Sequence, residues 1–543
     1  VVAPAVVPAG GAESPSIPIE SRRDYVEGIL GSATNASPFG AHSEADRILV
    51  SLLFRGLVRL GPNDSLVPDL AESWEVDPTG ATWTFHLRPG QTWQDGVPIT
   101  ADDVAFTYGV LRDPEYTGPG AGAFGEVSVS AVDPQTVRFT LATPLGGFLD
   151  AVARPIAPAH VLAGEPISSL SADQFGQAPV GSGAFSLAAL DASHALLLPW
   201  VAQSGDSGAD PASTSAPPGS GGLPIPYLDG IELRFYDDPA ALAADFSAGA
   251  LDAASGLAGA DEQALLARSG ARLLQYPSTM LVAGLFNLRA DHPVYRDPAV
   301  RRALTQAIDR DAIVANQLDG LADRADAPIP AWSWAFNPVG SPATGYDPGA
   351  AESALTAAGW TRGDLGWTPK GASEPLQITI IGPDTATSAS TWQVAEAIAA
   401  DWRAIGLEVV HASLPAALLA DRLRSGQFDL AVLAVNTGLD PDLYPLLASS
   451  QTTSGRGNLM GLQDPALDTL LAEARAPGTS DERTARYTAL QERLVSQQYL
   501  IPIAYRRVVV AVSGAVEGPV SRPVSGTWDR FWDVLTWRLA DGR

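Results

Sequence analysis

The sequence predicts an α/β protein built as two or three lobes. Its 543 residues exceed the ~100–200 residues of one typical domain, so each lobe is large enough to bury its own core. Segments of period 2 alternate along the chain with segments of period 3.6, the signatures of strands and helices. Hydrophobic residues make up 46% and charged residues 17%, the composition of a globular protein.

The elements can be taken in order. The opening VVAPAVVPAGGAESPS carries no basic n-region and is not an intact signal peptide. Residues 1–16 are expected to be a flexible Pro/Ala/Gly-rich leader, of the kind that follows a removed signal or a lipid-bearing Cys. Thr82–Arg88 (TWTFHLR) places Trp83, Phe85 and Leu87 on one face of a strand, and Val137, Phe139 and Leu141 repeat the pattern. Thr100 with Asp103 predicts a capping box between these two strands. The Gly/Ser/Pro-rich stretch 203–222 has almost no apolar residues to offset its ordering entropy. It reads as a disordered loop inserted into a folded unit, because Ile231, Leu233 and Phe235 form a further strand just beyond it. Val300, Ala303, Leu304, Ala307 and Ile308 make one helical stripe, and Val394, Ile398, Trp402 and Ile405 another that stops at Gly406. Asp297-Pro298 and Asp464-Pro465 each pair an N-cap carboxylate with proline at the first helical position. Val508–Val512 is apolar but only strand-sized, far short of the ~18 residues of a membrane span.

Charge and chemistry narrow the function. With 34 basic and 61 acidic residues the net charge is −27, which repels phosphate backbones and anionic lipid surfaces. Lys370 is the sole lysine, a compositional bias rather than a site. There are no cysteines, so disulfides, Cys–zinc sites and thiol nucleophiles are excluded. No G-x-S-x-G elbow or Walker A loop occurs, and the six histidines show no paired ligand spacing. Gly120-Ala-Gly122-Ala-Phe-Gly125 matches G-x-G-x-x-G, but Gly118-Pro119 precedes it and a strand-like Glu126–Val132 follows, so a flexible loop is expected. Asp440-Pro441-Asp442 lacks EF-hand spacing and reads as a turn and helix cap. A glycosidase-type carboxylate pair stays open. No catalytic residue, metal site or cofactor is predicted.

The most specific signal is a series of blocks in fixed order. Residues 53–111 carry LFRGLVRL, PDLAESW, TWTFHLRPGQTWQDG and PITADDVAF. Further blocks are Val180–Phe185, Pro226–Ile231, FNLRADHPVYRDPAVRRALTQAIDRDAIV at 286–314, ALTAAGW at 354–360, SGQFDL at 425–430, Asp464–Leu471 and LIPIAY at 500–505. This series resembles the peptide/nickel-type solute-binding proteins of ABC importers, the dipeptide- and oligopeptide-binding family, over roughly residues 20–540. The blocks themselves are scaffold. Gly90-Gln-Thr-Trp93-Gln-Asp95-Gly96, for instance, is expected to be a hairpin turn over a buried Trp.

The resemblance implies a two-lobed periplasmic-binding-protein (Venus flytrap) fold with mixed sheets and a third small inserted lobe. One main lobe would be discontinuous, 17–60 with 178–272 and 506–543, the inserted lobe would span 61–177, and the second main lobe 273–505. The lobes would close about crossover strands on a ligand in the cleft. The implied ligand-contacting regions are the loop 35–42, with Phe39 and His42, and the strand 276–282, with Ser278 and Met280. The turn 435–442, with Asn436, Thr437, Gly438 and Asp440, is the third. Trp334, in the AWSWAF loop with Trp332 and Phe336, is a candidate cleft aromatic, and Arg456 and Asn458 are candidates for a ligand carboxylate. In peptide-binding members an aspartate near that turn holds the ligand's α-ammonium. Here that position falls on or beside uncharged Thr437, which leaves Asp440 as a substitute after a local shift.

The function implied is a monomeric extracytoplasmic receptor, linked to the membrane only through a removed N-terminal lipid anchor. It would deliver a small ligand, in the first instance a peptide, to an ABC permease heterodimer with its ATPases. A sugar, opine or metal chelate is the alternative ligand, and a chemosensory binding protein or a hydrolase on the same scaffold the alternative role.

Overall fold

The computed structural model describes residues 24–61, 65–200, 226–257, 259–340, 344–452 and 456–540. The leader 1–16 and the loop 203–222 lie outside the described residues.

One large mixed sheet runs through the molecule. From edge to edge its strands are Glu408–Leu414, Gln377–Pro383, Leu430–Asn436, Arg272–Phe286, Leu500–Val512, Ala253–Ser255, Asp24–Leu30, Gly230–Tyr236, His194–Pro199 and Phe185–Leu190, and Ala322–Arg324 also pairs with Leu500–Val512. Two of these strands are far longer than the rest. Arg272–Phe286 and Leu500–Val512 pair antiparallel along nearly their whole length. Their outer halves serve different neighbours: Leu281 and Val282 face Val435 and Ala434, whereas Val510–Val512 pair with Ala253–Ser255. Register slips between Pro277 and Leu281, and a bulge of this kind bends and twists a strand. The break lies where the chain passes from one half of the sheet to the other.

The apolar cores divide at the same place. Residues from Leu281 to Tyr505 form one cluster, and residues from Tyr25 to Ala253 join Val510–Trp537 in another. The helical stripes read from sequence are buried in the first. The helix Pro298–Gln306 is capped by Asp297, whose carboxylate accepts from the Ala299 N–H. Within Thr385–Ala404, Trp402 is fully buried and donates its indole N–H to the Leu304 carbonyl, and Gly406 closes the helix at φ 87°.

A separate four-stranded antiparallel sheet is inserted in the second cluster: Ala71–Val76, Thr82–Leu87, Thr136–Leu141 and Val127–Asp133. Trp83, Phe85, Leu87, Val137, Phe139 and Leu141 are all buried, as their alternation predicts. The Gly120–Gly125 stretch is a turn between the helix Ala101–Arg112 and a strand, with φ positive at Gly120 and Gly122, so no helix follows it as a dinucleotide site would require. Trp93 is fully buried above its turn. Near the C-terminus Arg530 forks onto Glu27 at 3.0 and 2.7 Å, both side chains buried, which ties the last segment to the strand Asp24–Leu30. No helix among the described residues is long and apolar enough to cross a membrane.

Candidate functional site

A void of about 2440 Å³ lies between the two halves. Its walls come from three units. The first lobe contributes Arg47 and Ser51 on the helix Glu44–Leu53, and Ser525, Trp528 and Asp529 near the C-terminus. The inserted unit contributes Gly120–Val127, Leu145, Phe148, Asp150 and Arg154. Across from them the second lobe presents Asn436, Gly438, Leu439, Tyr444, Gln451 and Arg456. Aromatic surface with a few placed polar groups is the usual make-up of a small-molecule cleft. Arg47 stacks over Trp528 at 5.1 Å, which holds that indole on the wall.

The turn after the strand Leu430–Asn436 is built by backbone hydrogen bonds. The N–H and hydroxyl of Thr437 both donate to the Thr279 carbonyl, at 3.0 and 3.1 Å. Asn436 accepts from the Thr279 hydroxyl and the Gly438 N–H, and its amide donates across the cleft to the Ser525 carbonyl at 3.2 Å. Gly438 takes φ 78°, a conformation that favours glycine. Asp440 and Asp442 then enter ion pairs with helices behind the turn. Both Asp440 oxygens accept from Arg483, each at 2.7 Å. Asp442 accepts from Arg475 at 2.9 Å and from the Tyr444 N–H. Burial raises the Asp442 carboxyl, and Arg475 opposes that rise.

The residues singled out from sequence fall into distinct places. Asn436, Gly438 and Arg456 reach the cavity wall. Arg456 is exposed and lies 3.6 Å from Glu126 of the inserted unit, across the cleft. Met280 is half-buried and pairs with Asn436 in the ladder. Thr437 is buried, as is Ser278, whose hydroxyl donates to the Arg506 carbonyl at 2.7 Å at the strand crossing. Phe39 is a core residue, edge-on to Phe106 and Tyr116, and His42 is exposed. Trp334 covers the Arg483 guanidinium at 4.6 Å. Asn458 is buried and staples a loop, donating to the carbonyls of Leu447, Ala448 and Leu462. Leu145, Phe148, Asp150, Trp528 and Asp529 line the cavity without belonging to any motif. The Gly146-Gly147 pair ahead of Phe148 was the available signal for a close approach in that region.

The inserted unit and the second lobe are in direct contact there. Gly146 donates its N–H to the Arg475 carbonyl at 2.7 Å. A Cβ on Gly147 would lie 2.7 Å from Cγ of Asp440, and one on Gly80 would lie 2.2 Å from Pro477.

Two lobes joined by a pair of continuous strands, with a walled void between them, define a two-lobed solute-binding protein. The chain belongs to the bacterial extracellular solute-binding proteins, family 5: that family's model ("family 5 Middle") matches residues 65–458. It is therefore an extracytoplasmic solute-binding protein. Among relatives, it is 24% identical over 486 residues to the oligopeptide-binding protein AppA of Bacillus subtilis (strain 168), covering 88% of this chain and 84% of that protein. It is 25% identical over 495 residues to the nickel-binding periplasmic protein of Escherichia coli (strain K12), covering 88% of each. Among solved structures, NikZ from Campylobacter jejuni in complex with Ni(L-His) superposes with a TM-score of 0.75 at 25% identity, over 95% of this chain and 99% of that one. That family is made up of binding proteins rather than enzymes.

Proposed function

We propose that this protein is the receptor of an ABC importer, capturing a short peptide between its lobes and handing it to a permease heterodimer driven by ATPases. The observation that carries this reading is the interlobe void of about 2440 Å³, walled by three units. It is more than twice the ~1,000 Å³ upper end usual for small-molecule pockets, room for an extended chain. The similarity to an oligopeptide-binding protein over 88% of this chain supports it. The bodies that move are 17–60 with 178–272 and 506–543, bearing 61–177, against 273–505. They hinge at the bulge between Pro277 and Leu281. A ligand contacting both lobes favours closure by its differential affinity for the closed form. The protein works as a monomer and turns nothing over.

Mass spectrometry of small molecules released by denaturing the natively purified protein tests this. A mixture of short peptides is the expected outcome. A single non-peptide species, such as a sugar, opine or metal chelate, would overturn the peptide reading and leave the receptor role intact. Consumption of an added ligand by the purified protein would overturn the role itself.

A further inference from the structure

The turn of the second lobe offers the cavity no free anion. Asn436 and Thr437 are uncharged, and the two carboxylates that follow are already committed. Asp440 is gripped by both terminal nitrogens of Arg483, and Asp442 by Arg475. Near the C-terminus, Asp529 accepts hydrogen bonds from the N–H and hydroxyl of Ser525 and from the Gly526 N–H. Asp150 is different. It sits in the short helix Phe148–Val152 of the inserted unit, on the cavity wall beside apolar Leu145, Phe148 and Ala151. Among the described residues it forms no ion pair.

The charged groups that act most strongly on Asp150 are Asp440 and Arg483 from the second lobe and Asp529 from the C-terminal segment. The one cation among them is the guanidinium whose fork is filled by Asp440. Asp150 is brought to this junction by the contact at Gly146 and Gly147, where no side chain holds the surfaces apart.

We propose that Asp150, from the inserted unit, is the carboxylate that pairs with the cationic group of the ligand, the α-ammonium of a bound peptide. This rests on the peptide reading above and assigns the ammonium to a different lobe from the turn at Thr437. The electrostatics agree. Burial, then the nearby Asp440, pushes the Asp150 carboxyl up to about 7, and the Asp440 N–H only partly offsets this. A half-buried carboxylate without a cation is disfavoured, and an arriving ammonium removes that penalty. Binding must then displace a proton below pH 7, so affinity falls by up to about tenfold per pH unit there.

The test uses two tetrapeptide libraries built from Gly, Ala, Ser, Leu and Phe, one with free N-termini and one N-acetylated. Retention on the full-length protein is read by mass spectrometry, for wild type and Asp150→Asn, between pH 6 and pH 8. Wild type is expected to retain the free-amine set at least tenfold over the acetylated set at pH 8. That preference should shrink toward pH 6 and vanish in the isosteric variant. Calorimetry of the wild type in buffers of different ionisation enthalpy should report proton release on binding at pH 6.5, a readout independent of the variant's folding. Equal retention of both sets by wild type, or a preference that survives Asp150→Asn, overturns the assignment and leaves the peptide reading standing. Retention of neither set by wild type ends the peptide reading, and the assignment with it.

Discussion

The Arg483 side chain has three partners at once. It forks onto Asp440, lies under Trp334 at 4.6 Å and approaches the Tyr487 ring at 5.9 Å. Arg483 and Asp440 each keep only 13% of their side-chain surface, so the pair is largely desolvated and its removal is costly. Arg483→Ala should destabilise the protein by about 2–3 kcal/mol, because it strands the Asp440 charge and uncovers Trp334. Denaturant unfolding measures this. A loss below about 0.5 kcal/mol would mean that the pair is solvated like an ordinary surface contact. None of this was legible beforehand. The D-P-D sequence read as a turn and helix cap; Asp442 does accept from the Tyr444 N–H in a turn, but the helix Tyr444–Leu447 starts at Leu443 with no side-chain cap. The arginines that claim both aspartates lie 43 and 33 residues further along the chain.

Single elements were far more legible. The caps at Asp297 and Asp464 and the box at Thr100–Asp103 need only neighbours within three residues, so sequence spacing suffices to find them. The same holds for the alternation in Thr82–Leu87. What an element touches is another matter. The start of the helix Phe148–Val152 is pressed against the second lobe through Gly147, and Asp440 cannot yield there while Arg483 holds it. Gly147→Val should therefore hold the lobes apart. Small-angle X-ray scattering should show a larger radius of gyration than wild type, and fewer small molecules should co-purify. Unfolding free energy should move by no more than about 0.5 kcal/mol, since the residue packs at an interface between lobes and not within a core. An unchanged radius would show that the Gly147 contact does not limit closure.

At the scale of the molecule, a third small cluster that holds Leu265 also approaches the second lobe. Glu262, on the helix Gly259–Leu265 of the first lobe, is buried and faces Asp319, which follows Leu318 of the second core. Burial, then Asp319 and Asp261, raises the Glu262 carboxyl to about 8. The folded state thus holds a proton that the unfolded chain, with an ordinary glutamate near 4.3, has released. Stability should fall as pH rises from about 4.3 to about 8 and level off beyond, at most about 1.4 kcal/mol per unit. Glu262→Gln should remove that component. Urea unfolding of both proteins from pH 5 to 8.5 checks it, and a constant difference between them across the range would refute the raised carboxyl.

The sequence by itself determined the local elements, the lack of thiol chemistry, the excess of negative charge and, through its ordered blocks, the family. Those are properties of composition and of neighbours a few residues apart. Only the tertiary structure decided which carboxylates are spent in ion pairs and which face the cavity. Asp150, Asp440 and Asp529 are far apart in the chain but meet at one junction, and a charge's partner is set by distance in space. The same reason explains why Phe39 lies in the core and Asn436 at the cleft, although both belong to segments expected to meet the ligand. Which face a residue of a long-range sheet or loop presents depends on register and on the close approach of lobes, and no local pattern records either.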